Sequence, residues 1–238
     1  MTGDEEAAVV AGAASGAADA PGPAASGVAG AVARTAAGSV AVAEPGIVRG
    51  DDGVVRCSWG ARDPDLRRYH DEEWGRPLHG DRLLFEKLSL EGFQAGLSWL
   101  TILRRRPHFR AVFFDFDLER VAAMSDDDVE RLMGDTGIIR NRAKIEATRG
   151  NARATLELQG GRDGALDELM WSFAPPPRAE ADRPRRPSDV PATTPQSAAM
   201  SAELRRRGFR FVGPTTMYAL MQSSGMVDDH QVGCFRAS

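Results

Sequence analysis

Both cysteines of this 238-residue chain are paired with a histidine, and the pairs stand at opposite ends of its compact part: Cys57-x12-His70 near the start and His230-x3-Cys234 at the finish. Two thiolates and two imidazoles complete a zinc tetrahedron. An ion held by all four would tie the first and last segments together, so that whatever those segments shape jointly lies between them. The spacing leaves other readings open, because the pairs are about 160 residues apart whereas a zinc finger gathers its ligands locally. The same cysteines could be buried thiols or a disulfide.

The first 50 residues contain 17 alanines, many glycines and no amphipathic period, which predicts a disordered tail over 1–53 and one domain over 54–238. Asp4, Glu5 and Glu6 stand where a secretory leader carries Lys or Arg, and the apolar residues here are Ala and Val broken by Gly and Pro. A cytoplasmic protein with no membrane span is expected. The formal charge of −4 is uneven: seven acids and two arginines fall in 1–53, leaving 27 acids against 28 bases in the body. A body so near neutral lacks the footprint of a nonspecific DNA coater. The triplets Arg104-Arg105-Arg106 and Arg205-Arg206-Arg207 fit phosphate contacts or solvated helix ends equally.

From Asp81 onward Leu83, Leu84, Phe85, Leu88 and Leu90 recur at spacings of three and four with little strand-like alternation, so the body is predicted all-α. Gly96 interrupts this run and Pro107 is expected to end the next. Ser125 before Asp126, Asp127 and Asp128 is a helix start, giving a short helix over 125–133. The proline-rich stretch 175–195 is expected to cross the surface without regular structure. Two helix-turn-helix units follow from the pattern, one turning at Gly137-Ile138-Ile139-Arg140 and one at Gly208-Phe209-Arg210-Phe211-Val212-Gly213-Pro214-Thr215. In the second, Gly213 permits a tight bend and a helix is expected from about Thr216 to Ser224, its first N–H groups free for a phosphate oxygen. An ordinary αα-hairpin packed on the core is the competing reading.

Taken in order, Arg56-Cys57-Ser58-Trp59, Tyr69-His70-Asp71-Glu72-Glu73-Trp74-Gly75, Leu90-Glu91-Gly92-Phe93-Gln94-Ala95-Gly96-Leu97-Ser98-Trp99, Gly137-Ile138-Ile139-Arg140, the turn at 208–215 and Asp229-His230-Gln231-Val232-Gly233-Cys234 resemble the bacterial 3-methyladenine DNA glycosylase I family over about residues 56–236. The resemblance implies a helix-hairpin-helix glycosylase fold and a structural zinc ion on Cys57, His70, His230 and Cys234. It also implies a monomer acting on alkylated double-stranded DNA. The turn carrying Gly213 and Thr215 would grip phosphates, and Leu97 would fill the gap left by a flipped nucleotide. Tyr69 and Trp99 would stack on the base and Trp59 would close its pocket.

A carboxylate at Glu91, inside an apolar helix, is costly without a partner. Adenine supplies one, because its exocyclic amine donates where guanine presents a carbonyl. Glu91 is therefore the expected base discriminator and catalytic group. Asp228 stands where the resembled family usually has Asn, at the position of the catalytic Asp of wider helix-hairpin-helix glycosylases, and is a second catalytic candidate. Alkylation at N3 already makes adenine a good leaving group, so holding the base and stabilising the sugar cation would suffice. Lys87 and Lys144 are the chain's two lysines and neither lies in the second hairpin, which predicts hydrolysis with no strand-nicking step. A non-catalytic DNA-binding module is the rival reading. A zinc hydrolase is disfavoured because four protein ligands leave no open coordination position.

Overall fold

The computed structural model describes residues 46–237. A short antiparallel hairpin, β1 (Ile47–Arg49) and β2 (Val55–Cys57), is followed by α1 (Pro64–Glu72), α2 (Asp81–Gln94), α3 (Trp99–Val112), α4 (Leu118–Ala122), α5 (Asp126–Gly134), α6 (Arg142–Gln159), α7 (Ala165–Trp171), α8 (Pro195–Arg206) and α9 (Pro214–Ser223). The helix starts are written in the sequence. Asp63, Ser98, Asp117 and Asn141 each accept a hydrogen bond from the opening turn of their helix, and Ser125 and Thr194 form capping boxes with Asp128 and Ser197. Gly160, left-handed at φ 53°, closes α6.

Three expectations change. Residues 46–53, assigned to the tail by composition, enter the fold instead: Ile47 pairs with Cys57, Val48 with Arg56 and Arg49 with Val55. The rest of the expected tail lies outside the described residues. Pro107 does not end its helix; α3 continues to Val112. The helix absorbs the missing N–H because Phe109 and Phe113 beyond it are fully buried, packing on Phe93 at ring separations of 4.7 and 6.0 Å. Finally α9 starts at Pro214, since proline is at home in the first helical position. The stretch 175–195 is irregular as expected, apart from one-turn 3-10 helices at Glu180–Asp182 and Pro187–Asp189.

The central helix is α2, packed against α3, α6, α7 and α9. Leu84, Phe85, Leu88, Leu90 and Phe93 of α2 join Ile102 of α3, Ile145 of α6 and Met217, Leu220 and Met221 of α9 in one core. Because neighbours surround it, even its polar residues Glu86, Lys87, Ser89 and Glu91 are buried. The first arginine triplet ties α3 to its surroundings: Arg104 pairs with Asp63 and Asp65, Arg105 donates to the carbonyls of Thr136 and Ile138, and Arg106 forms a two-point pair with Glu73. These residues are structural staples. In the second triplet Arg206 and Arg207 both pair with Glu203.

Candidate active site and metal centre

Strand β2 ends at Cys57 and the C-terminal segment runs alongside it, the Phe235 N–H donating to the Val55 carbonyl at 2.9 Å. This brings the two Cys/His pairs together. Ligand atoms of Cys57, His70 and Cys234 all lie within 4.8 Å of one another, and the His230 ring packs edge-on to His70 with centroids 5.2 Å apart. Both cysteines are free thiols, which removes the disulfide reading.

The histidines are held from behind. His70 Nδ1 lies 2.8 Å from Asp71 Oδ1 and His230 Nδ1 lies 2.9 Å from Asp228 Oδ1, so each ring is fixed with Nε2 facing inward, the usual carboxylate support of a metal-binding imidazole. The buried His230 Nε2 has no protein partner among the described residues. Backbone N–H groups of Gln231 and Arg236 point at the sulfurs of Cys57 and Cys234, at 3.4 and 3.5 Å. Cys57 donates to Cys234, and this bond together with His70 holds the Cys234 thiol below its ordinary value, while Cys57 is pushed up. Two buried sulfurs and the inward Nε2 of His70 are grouped as metal ligands are, and the oriented His230 ring stands beside them, outside that close group, as the fourth candidate for a tetrahedral dication. Gly75 makes the approach possible: its φ is +76°, and a Cβ there would lie 2.5 Å from His230 Cε1.

Asp228, a catalytic candidate by its position in the sequence, stands behind His230. Its Oδ1 accepts from the His230 backbone N–H as well as facing Nδ1, and its Oδ2 accepts from Arg183 at 2.7 Å. Both oxygens are committed, one to His230 and the other to Arg183. The next residue, Asp229, is buried and anchors the segment to α9 through Tyr218 and Gln222 at 2.6 and 2.8 Å, and to Arg178 at 2.7 Å.

Aromatic contacts lead from this cluster to Tyr69 and Trp99. Trp74 lies edge-on to His230 at 4.6 Å and to Trp59 at 5.1 Å; Trp59 is 6.4 Å from Tyr69, and Tyr69 is 5.3 Å from Trp99 at a tilt of 44°. The expected base-stacking residues are thus brought together, but Tyr69 and Trp99 touch each other. Admitting a third ring between them requires a separation of about 7 Å, twice the contact distance of aromatic carbons, so a base enters by parting them.

Beneath these rings lies a buried polar group of four. Ser223 of α9 donates to Glu91 Oε1 at 3.0 Å, and Lys87, one helical turn before Glu91, sits 3.4 Å from the Tyr69 hydroxyl. Burial pushes the Glu91 carboxyl up to about 7 against the opposing pull of Lys87 and Ser223. Burial likewise holds the Lys87 amine below its usual range, opposed by Glu91 and Glu73. The buried indole N–H of Trp99 has no acceptor among the described residues. A cavity of about 250 Å³ adjoins the group, lined by Lys87, Ser223, Leu90 and the Glu73–Arg106 pair; it does not include the rings, so it is a neighbour of the aromatic cage rather than its interior.

Leu97 occupies the break between α2 and α3, after Gly96 at φ +82°, and is 43% exposed. Lys144 of α6 holds this loop from behind, its Nζ donating to the carbonyls of Phe93 and Ala95 at 2.9 and 2.7 Å. In the second hairpin the turn is made by Gly208 and Phe211, both left-handed at φ +86° and 57°. Gly213 has an ordinary φ of −59° and serves as a bare N-cap, correcting its expected role as the bend. Without a capping side chain, and with Pro214 contributing no N–H, the amides of Thr215 and Thr216 stay open to an incoming acceptor, while that of Met217 already donates to the Gly213 carbonyl at 2.9 Å.

Sequence reasoning assigned no role to Lys87, Trp74, Ser223 or Asn151. Lys87 left a signal, as a lysine in an apolar helix four residues before Glu91; Ser223 left none.

A helical domain that turns a bare helix N-terminus outward beside a hairpin, and buries an acid under electron-rich rings, has the architecture of a helix-hairpin-helix DNA glycosylase. Within that class the chain belongs to the methyladenine glycosylase family, whose family model matches residues 59–237. It is 47% identical over 181 residues to DNA-3-methyladenine glycosylase 1 of Escherichia coli, covering 76% of this chain and 96% of that protein. It is 44% identical over 181 residues to DNA-3-methyladenine glycosylase of Haemophilus influenzae, covering 76% and 97%. Among solved structures it superposes on a crystal structure of 3-methyladenine DNA glycosylase I with a TM-score of 0.73 at 45% identity, covering 77% of this chain and all of that one. A single-substitution variant of 3-methyladenine DNA glycosylase I in complex with 3-methyladenine matches with a TM-score of 0.71 at 33% identity, covering 77% and 97%.

Proposed function

We infer that this chain is a base-excision repair glycosylase that hydrolyses the N-glycosyl bond of N3-methyladenine in alkylated DNA. The observation that carries the reading is Glu91, buried on α2 one turn after the lysine that reaches the Tyr69 hydroxyl and, among the described residues, hydrogen-bonded by the Ser223 hydroxyl alone. An ionised Glu91 attracts a cationic base and accepts its exocyclic amine; a guanine carbonyl in that place meets a carboxylate oxygen. Tyr69 and Trp99 clamp the base, Trp59 closes the cage, and electron-rich rings favour the electron-poor methylated purine. Since the methylated base leaves neutral, the protein needs only to hold it, stabilise the sugar cation and admit water. Neither Lys87 nor Lys144 lies in the hairpin preceding α9, which supports hydrolysis without a lyase step.

The substrate is duplex DNA, Leu97 replacing the flipped nucleotide and the N-terminus of α9, with Gly213 and Thr215, holding a phosphate. A zinc ion on Cys57, His70, His230 and Cys234 is structural; it cross-links the two chain ends and supplies no open position for substrate. The protein works as a monomer in the cytoplasm; no helix among the described residues is long and apolar enough to cross a membrane. The test is chromatography of bases released from methylated duplex DNA by the wild type and by Glu91→Ala. Release of 3-methyladenine that falls sharply in the variant is the expected result. A folded wild type that binds the DNA and releases nothing would instead be a non-catalytic module.

A further inference from the structure

We propose that Lys87 is a second reader of the base, donating a hydrogen bond to the ring nitrogen next to the exocyclic amine that Glu91 accepts. This rests on the reading of the aromatic cage as the base site. Its Nζ lies 5.1 Å from the Tyr69 ring centroid and 5.6 Å from that of Trp99, while the rings are 5.3 Å apart. The amine therefore caps the edge of the gap between them at nearly equal distance from both. Lys87 and Glu91 are four residues apart on α2 and so share one helix face, which presents a donor and an acceptor side by side to whatever lies between the rings.

The amine is also short of partners. A lysine carries up to three N–H donors, yet among the described residues its hydrogen bonding amounts to the Tyr69 hydroxyl at 3.4 Å, at the long limit of such bonds, in a residue only 7% exposed. Buried donors left in this state call for an acceptor. Adenine presents a donor flanked by acceptors, its 6-amino group between N1 and N7, and matches an acceptor–donor pair in either orientation; guanine presents adjacent acceptors at O6 and N7. Lys87 thus scores the acceptor half of the pattern and Glu91 the donor half. A positive charge on a methylated adenine would oppose an ammonium group, and the Glu91 carboxylate one helical turn away offsets that conflict.

The test is calorimetric binding of free 3-methyladenine, 3-methyl-1-deazaadenine and 3-methyl-7-deazaadenine to the wild type and to Lys87→Met, with thermal unfolding checking that the variant is folded. In each deaza analogue a C–H replaces one acceptor. The wild type is expected to bind one of the two about ten-fold more weakly than 3-methyladenine, the worth of one buried hydrogen bond, and Lys87→Met is expected to bind all three alike. A wild type indifferent to both replacements, or a deaza penalty that persists undiminished in Lys87→Met, would overturn the proposal while leaving the base site intact. Failure of the wild type to bind 3-methyladenine at all would overturn the site reading and the proposal with it.

Discussion

The side-chain amide of Asn151 closes two hydrogen bonds on the backbone of Arg210: its Nδ2 donates to the Arg210 carbonyl at 3.0 Å and its Oδ1 accepts from the Arg210 N–H at 2.8 Å. The second hairpin is thereby fixed to α6 at the residue before left-handed Phe211, which would otherwise be free to relax out of a conformation unfavourable for a side chain. Phe211 in turn backs onto α2, where a Cβ at Gly92 would come within 3.3 Å of it. One helix, α6, therefore sets the height of the hairpin relative to Glu91.

Asn151→Ala leaves both Arg210 groups without their partner and is expected to cost about 2 kcal/mol of stability. Because the hairpin is proposed to hold DNA and not the base, affinity for duplex should fall while binding of free 3-methyladenine stays near wild type. Fluorescence-anisotropy titration with a duplex and calorimetry with the free base separate the two effects. Equal losses in both would mean that Asn151 supports the whole core and not the hairpin.

Glu91 makes a signed prediction about pH. Its native carboxyl is raised to about 7 from an ordinary 4.5, so the folded state prefers the protonated acid. The favourable contribution is complete below pH 4.5 and is lost as pH rises through 7, amounting to roughly 3 kcal/mol. Glu91→Gln should therefore gain stability relative to wild type as pH increases between those values in denaturant unfolding. If base release uses the Glu91 carboxylate as proposed, wild-type kcat/KM should rise through an apparent pKa near 7. A flat stability difference from pH 4.5 to 7 would show that Glu91 is not buried as an acid.

Much of this was legible in the chain. The helix start at Ser125 is side-chain chemistry and is read directly, and the hairpin at 208–215 is placed by its glycines although the bend falls on Gly208 and Phe211 rather than Gly213. What failed was tertiary in origin. Pro107 reads as a stop unless Phe109 and Phe113 are known to be anchored beyond it. Ile47 and Val48 look like more of an Ala/Val-rich tail until Val55 and Cys57 offer a strand to pair with. For Asp228 linear order offers a catalytic position, and only the fold adds that its oxygens are bonded to His230 and Arg183. The donor side of the base site, Lys87, was visible as a charge in an apolar helix but had no partner in sequence; Tyr69 reaches it from α1.

The carboxylate behind His230 gives a prediction for the proposed metal. If Asp228 orients the imidazole, Asp228→Asn weakens zinc binding ten- to a hundred-fold, as loss of an outer-shell carboxylate typically does, and lowers the unfolding temperature at limiting zinc. Restoring full occupancy should restore base release. Competition with a metallochromic chelator, followed by activity at saturating zinc, measures both quantities. A variant that binds zinc like the wild type but loses base release would return Asp228 to a catalytic role. Stripping the proposed ion from the wild type should loosen the hairpin β1–β2 and the C-terminal segment together, because the ion would cross-link them beside the Phe235–Val55 backbone bond.

Leu97 and Lys144 make a paired prediction about base flipping. Leu97 is 43% exposed and contributes little to the core, so Leu97→Ala should leave stability within about 0.5 kcal/mol of wild type. Its loss should slow release of 3-methyladenine from duplex DNA by about ten-fold, the worth of a leucine-sized apolar contact filling the space of the extruded nucleotide. Single-stranded methylated DNA, in which the base is already unpaired, should be affected much less. Lys144→Met removes the two bonds that hold the Phe93 and Ala95 carbonyls and frees the same loop without touching the wedge itself. It should reproduce the duplex-selective defect and add a stability loss of about 2 kcal/mol. If Leu97→Ala slowed release from single and double strands equally, Leu97 would be lining the base site rather than entering the helix, and the loop held by Lys144 would belong to the pocket.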